Sequence, residues 1–159
     1  MSQVVWRIAT ETLNYSADDL TGTGAKVTGG RWNRPGTALL YCAENIALAS
    51  LETFVHFNAS TLPLNRYLVR IDIPDDVWNA AVVLTATSAP VGWDAIPTSK
   101  VSLDAGDAWA ASAVSALILV PSVIVPEEHN VLINPIHAHA KTITASKVRK
   151  WQYDARMRS

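Results

Sequence analysis

The chain has 159 residues, 49% hydrophobic and 17% charged, with a net charge of −1. That length suits one domain, and the composition excludes a disordered chain. The near-zero charge, with no basic run longer than KVRK at Lys147 to Lys150, argues against direct binding of nucleic acid, and the single cysteine, Cys42, excludes an internal disulfide and any cysteine-based zinc cluster.

In chain order, VVWRI at Val4 to Ile8 reads as a first strand, and the polar stretch that follows to Thr28 carries loop glycines at 22 and 24. Gly29 to Gly36, GGRWNRPG, concentrates three glycines and two arginines. A turn between strands is one reading of it and an anion-holding loop is the other. ALLYC, Ala38 to Cys42, reads as a short buried strand. AENIALASLETFVHF, Ala43 to Phe57, reads as a helix that is apolar nearly all round and therefore buried on several sides.

RYLVRIDI, Arg66 to Ile73, alternates as a strand stopped by Pro74, and Val82 to Lys100 reads as a long loop. Asp104 to Ala116 resembles a second helix. LILVPSVIVP and NVLINP then give two strands around the polar EEH, and TASKVRKWQY a last one. The most apolar segment, Ala110 to Pro126, is interrupted by Pro121 and several serines, is short for a span of about 20 residues, and reads as buried core rather than membrane. The start of the chain lacks the pattern of a secretory signal, so a cytoplasmic location is expected. The sum is an α+β chain, a single domain over residues 1–159 with a mixed sheet core and flanking helices.

No dinucleotide-binding or phosphate-binding glycine signature is present. Cys42 sits in an apolar strand, where an inert thiol is expected. His137 and His139 in HAHA lack further nearby ligands, so no metal is expected.

Three residues stand out against this background. Glu52 shares a helix face with Leu48, Val55 and His56. Its carboxylate lies either against apolar surface, where it needs a partner, or on the narrow wet stripe of the helix. Ser122 interrupts an aliphatic run beside Pro121, so its hydroxyl faces a cleft or bonds the backbone at a strand end. Arg31 carries the fork of donors that suits a phosphate, with an Arg31–Glu52 ion pair as the purely structural alternative.

Taken together and in order, GGRWNRPG, LLYCAENIALASLETFVHF, LVPSVIVPEEHNVLINPIHAHA and WQYDARM resemble the RES domain family, named for its Arg, Glu and Ser. The likeness spans nearly the whole chain. Arg31, Glu52 and Ser122 fall on the naming positions, and Tyr41 and Asn134 on further motif positions.

The resemblance implies a fold similar to ADP-ribosyltransferases and the toxin of a bacterial type II toxin–antitoxin pair. It further implies consumption of NAD+ as substrate without a separate cofactor, an Xre-like helix-turn-helix antitoxin covering the active site, and a toxin dimer within the complex. Arg31, Tyr41 and Glu52 are then the expected catalytic group, with Gly30, Trp32, Ser122 and Asn134 holding substrate.

Arg31 would anchor the pyrophosphate, the face of Tyr41 would hold the cationic nicotinamide ring, and Glu52 would stabilise positive charge on the ribose as that ring leaves. Arg34, beside Pro35, reads as a solvated turn residue, and Gly29 and Gly30 as a hinge. The leading expectation is an NAD+ glycohydrolase or phosphorylase. Transfer of ADP-ribose to a protein is the second reading, and a non-catalytic nucleotide-binding module the third.

Overall fold

The computed structural model describes residues 1–57 and 62–158. Its frame is a seven-stranded mixed sheet built from β1 (Ser2–Thr10), β2 (Leu40–Ala43), β3 (Arg66–Pro74), β4 (Val82–Val83), β5 (Leu117–Pro121), β6 (His129–Ile133) and β7 (Thr144–Trp151). The spatial order is β4-β5-β6-β2-β1-β3-β7. Only β4 and β5 run parallel, and every other pair is antiparallel.

Among the described residues four α-helices accompany the sheet: α1 (Thr23–Thr28), α2 (Ile46–Phe54), α3 (Asp75–Asn79) and α4 (Lys100–Ser112). α1 and α3 fall where the sequence shows no helical period, because one or two turns are too short to display one. The expected helix from Ala43 is shorter at both ends. Ala43 pairs with Asn130 in the sheet, and the Asn45 side chain caps α2 by accepting from the Leu48 amide at 2.7 Å. Only Leu48 and Ala49 of α2 are buried, so it lies on the sheet by one face instead of being enclosed.

α4 starts one turn before the expected Asp104, at a cap made by Ser99, and ends where Ala113 turns left-handed with φ 53°. The long loop at 82–100 carries β4 on its first residues, paired with Ile118 and Leu119.

Side chains alternate along β2 and divide the core. Leu40 and Cys42 join Val69, Ile71, Leu119, Val131 and others in one cluster, closed by Val77 of α3. On the opposite face, Leu39 and Tyr41 meet Trp32, Trp93, Trp109, Val120 and Leu132, while Ala43 joins Leu48, Ala49, Leu68 and Tyr153. The segment after β5 crosses between these last two clusters, Val123 packing on one and Val125 on the other.

Candidate active site

The arginine loop is a clamped platform and not a hinge. Gly29 takes φ 74°, a left-handed conformation that favours glycine, and the Gly30 amide closes a tight turn onto the Asn33 carbonyl at 3.0 Å. Asn33 is fully buried, and its side-chain amide donates to the Ala25 and Thr37 carbonyls, both at 2.9 Å. The Tyr41 hydroxyl accepts from the Trp32 amide at 3.0 Å and donates to Asn33 Oδ1 at 2.6 Å. A Cβ on Gly30 would stand 2.6 Å from that hydroxyl, so glycine is required there by close approach. Burial pushes the Tyr41 phenol well above its ordinary value, with the Trp32 amide acting the other way, and the group is a neutral donor at physiological pH.

Arg31 Nη1 donates to the Trp93 carbonyl at 3.0 Å and the Ala95 carbonyl at 2.8 Å. Trp32 is buried, and its ring stacks on Trp93 with centroids 6.5 Å apart and planes 20° from parallel. Trp32 is therefore a packing anchor of the loop. Arg34 departs from the expected solvated turn residue. Its guanidinium pairs with Asp104 at 2.7 Å and Asp107 at 2.9 Å, and its amide donates to Asp107 at 3.1 Å. Those two carboxylates raise the Arg34 pKa, and Lys100 and Arg34 together hold Asp104 below the usual carboxylate range.

The second half of the site joins two of the expected residues directly. Ser122, wholly buried, donates to Glu52 Oε1 at 2.6 Å, and its oxygen accepts from the Ile124 and Val125 amides, both at 3.1 Å. The strand thus stops at Pro121, and the next turn winds round the serine hydroxyl. Of the two sequence readings of Ser122, the structure shows the second: it bonds backbone at a strand end, and its proton goes to the Glu52 carboxylate instead of an open cleft. Glu52 is half-buried, and among the described residues it forms no ion pair with Arg31.

Asn134 lies elsewhere. It is buried, its Nδ2 donates to the Ala110 carbonyl at 3.1 Å, and its Oδ1 accepts from the Ile136 amide at 3.3 Å. Both polar ends are engaged by backbone, which makes it a lock between the end of β6 and the end of α4. Sequence reasoning passed over Asn33, Ser102 and Asp107. Asn33 lies within GGRWNRPG, whereas nothing local marks a helical serine whose partner lies 71 residues away.

Burial pushes the Cys42 thiol up to about 12, so it is no nucleophile. The His139 amide donates to His137 Nδ1 at 3.0 Å, which gives that nitrogen a capping role. No group of three or more metal-binding side chains occurs among the described residues, and no helix there is long and apolar enough to cross a membrane.

The RES domain profile matches residues 4–156. The chain belongs to the RES domain family. It is 59% identical over 157 residues to a "Prs ADP-ribosylating toxin" of Sphingobium sp. (strain YBL2), covering 99% of this chain and 98% of that protein. A "Toxin Res" of Yersinia enterocolitica serotype O:8 / biotype 1B (strain NCTC 13174 / 8081) is 38% identical over 132 residues, 83% of this chain and 85% of the relative. Among solved structures, a chain of the M. tuberculosis MbcT–MbcA toxin–antitoxin complex superposes with a TM-score of 0.68, covering 94% of this chain and 85% of that one at 19% identity. That likeness speaks to the fold: the RES domain here is a single compact α+β unit of the same architecture.

Proposed function

We propose that this RES domain is the toxin of a toxin–antitoxin pair, and that it breaks the nicotinamide–ribose bond of NAD+ and passes ADP-ribose to a protein. The observation that carries the reading is the 59% identity, over 99% of the chain, to a toxin named for ADP-ribosylating Prs. That relation puts transfer to a protein ahead of hydrolysis or phosphorolysis, reversing the order taken from the sequence. A Prs protein is the first acceptor to try.

In this reading Arg31 binds the pyrophosphate, and the Tyr41 ring, held by its hydroxyl, offers a face to the nicotinamide cation. As the glycosidic bond breaks, its electron pair leaves with nicotinamide and the ribose acquires oxocarbenium character. The Glu52 carboxylate, oriented by Ser122 at 2.6 Å, stabilises that charge. A nucleophilic side chain of the acceptor then bonds to the ribose carbon and releases its proton. Ser122 is not the nucleophile, since its proton is already directed to Glu52 and it is wholly buried.

The toxin–antitoxin complex to which the structural neighbour belongs supports a protein partner. We take that partner to be an Xre-like helix-turn-helix antitoxin covering the site, with the toxin as a dimer in the complex, and the cytoplasm, where NAD+ is available, as the place of action. The test incubates the toxin, freed from its antitoxin, with NAD+ and a Prs protein, and follows nicotinamide release and the intact mass of the acceptor. One ADP-ribose added per acceptor is the expected result. Nicotinamide without an adduct assigns hydrolysis or phosphorolysis instead, and saturable NAD+ binding without nicotinamide leaves a binding module.

A further inference from the structure

We infer that α4 is the template that orients Arg31, with Ser102 as its positioning residue; the inference rests on the role of Arg31 as the phosphate anchor. A buried serine inside a helix commonly returns its hydroxyl to a carbonyl one turn back. Ser102, fully buried, instead donates across to the Arg31 carbonyl at 2.8 Å. One turn further on, Gly106 lets the Trp32 carbonyl lie directly against the helix, where any Cβ would overlap it. Asp107 then takes the Arg34 amide at 3.1 Å. Backbone groups of residues 31, 32 and 34 are thus each set by a residue of α4.

The far end of the same side chain is referenced to the same helix. Arg31 Nη1 meets the Trp93 and Ala95 carbonyls, and the Ser99 hydroxyl that caps α4 also donates to the Gly92 carbonyl at 3.0 Å, which ties that segment to the helix start. A guanidinium is planar, so holding Nη1 between two carbonyls sets the plane of the whole group. The opposite edge, Nε and Nη2, is then presented as a ready fork for a phosphate. Ser102 lies beneath the loop, out of reach of substrate, and acts only through Arg31.

The test measures binding of ADP-ribose by calorimetry, and nicotinamide release against NAD+ concentration, on the full chain freed from its antitoxin. Ser102→Ala should weaken ADP-ribose binding and raise KM for NAD+, each about five- to tenfold, with kcat per folded molecule within about twofold. In an Arg31→Ala background the same substitution should change ADP-ribose binding by less than about twofold, since the effect passes through Arg31.

A purely structural serine would lower the melting temperature and the folded fraction without moving KM, and that result overturns the proposal. Asp107→Ala, at the partly exposed rim, supplies a second variant if Ser102→Ala does not fold. Unchanged ADP-ribose affinity there overturns the proposal as well. A wild-type chain that binds no ADP-ribose and releases no nicotinamide overturns both this inference and the function on which it rests, whereas an active wild type with an unaffected Ser102→Ala sinks this inference alone.

Discussion

Ser122→Ala probes the centre of the half of the site proposed to be catalytic, because one hydroxyl there holds three groups. It donates to Glu52 at 2.6 Å and accepts from two backbone amides at 3.1 Å each. A hydrogen bond to a charged group is worth about 1.5–3 kcal/mol. The two amides add less, since Ile124 is 37% exposed and water reaches the turn, so about 0.5 kcal/mol each is appropriate. The expected loss is about 2–4 kcal/mol of stability, or about 5–15 °C in Tm for a domain of this size. With its carboxylate no longer oriented, the enzyme should lose about 10–100-fold in kcat for nicotinamide release, part of the 10²–10³ that removal of the whole group would cost. Thermal unfolding and single-turnover release at saturating NAD+ read the two effects separately. A lowered Tm with kcat per folded molecule unchanged would refute the reasoning, since Ser122 would then merely close a turn.

Glu52→Gln keeps an oxygen for Ser122 while removing the charge, so the chain should stay folded to within about 1 kcal/mol and lose about 10²–10³ in kcat; a variant that unfolds outright would assign Glu52 to the fold. Gly30→Ala places a methyl 2.6 Å from the Tyr41 hydroxyl, displacing it from Trp32 and Asn33, and should cost about 2–4 kcal/mol in urea unfolding, with an unshifted midpoint counting against the clamp. The Cys42 thiol is raised from 9.0 to about 12, so the stability it contributes is complete below about pH 9 and is lost as pH rises toward 12, by up to about 1.4 kcal/mol per pH unit. Cys42→Ala should flatten that alkaline slope in urea titrations, and identical slopes would contradict the burial argument.

The sheet was largely legible because its strands carry the pattern that identifies them. RYLVRIDI alternates and forms β3, and the apolar VLI of NVLINP lies in β6, whereas of the expected strand LILVPSVIVP only Leu117–Pro121 forms β5, because the chain turns at Ser122. The helices were read less well. α4 begins in a stretch of Thr, Ser and Pro where only the Ser99 cap marks it, and α2 is shortened because Ala43 belongs to the sheet. Within the site, the order of motifs singled out Arg31, Tyr41, Glu52 and Ser122. Their partnerships were another matter. A bond between Ser122 and Glu52, 70 residues apart, and the pairing of Arg34 with Asp104 and Asp107 depend on which loop crosses which helix, and no local period encodes that. Asn134 shows the converse: the family resemblance puts it among the substrate-holding residues, whereas both of its polar ends are engaged by backbone at the end of a strand.

The two halves of the site share one rail, and this accounts for the need to specify β2 so closely. Leu39 and Tyr41 face the arginine platform, and Ala43, two residues on, leads through the Asn45 cap into the helix that carries Glu52. A slip of one residue between β2 and β6 would turn Tyr41 to the opposite face and Cys42 toward the platform. Glu128 guards the other end of the register. Its side chain accepts from Asn45 Nδ2 at 2.9 Å, and its backbone carbonyl accepts from the Ser122 amide at 3.0 Å, so one residue anchors both the start of α2 and the serine that α2 must meet. The Glu44 amide donates to the His129 carbonyl at 3.2 Å and its carboxylate accepts the His129 amide at 3.1 Å, which repeats the tie one residue later. The 2.6 Å bond between Ser122 and Glu52 thus rests on strand register transmitted through residues 128 and 129, and the half proposed to bind phosphate rests on α4 as well as on β2. A substitution in α4 or at the Glu128 tie that leaves β2 in register should therefore disturb one half alone: ADP-ribose affinity with α4, and the rate of nicotinamide release with the Glu128 tie.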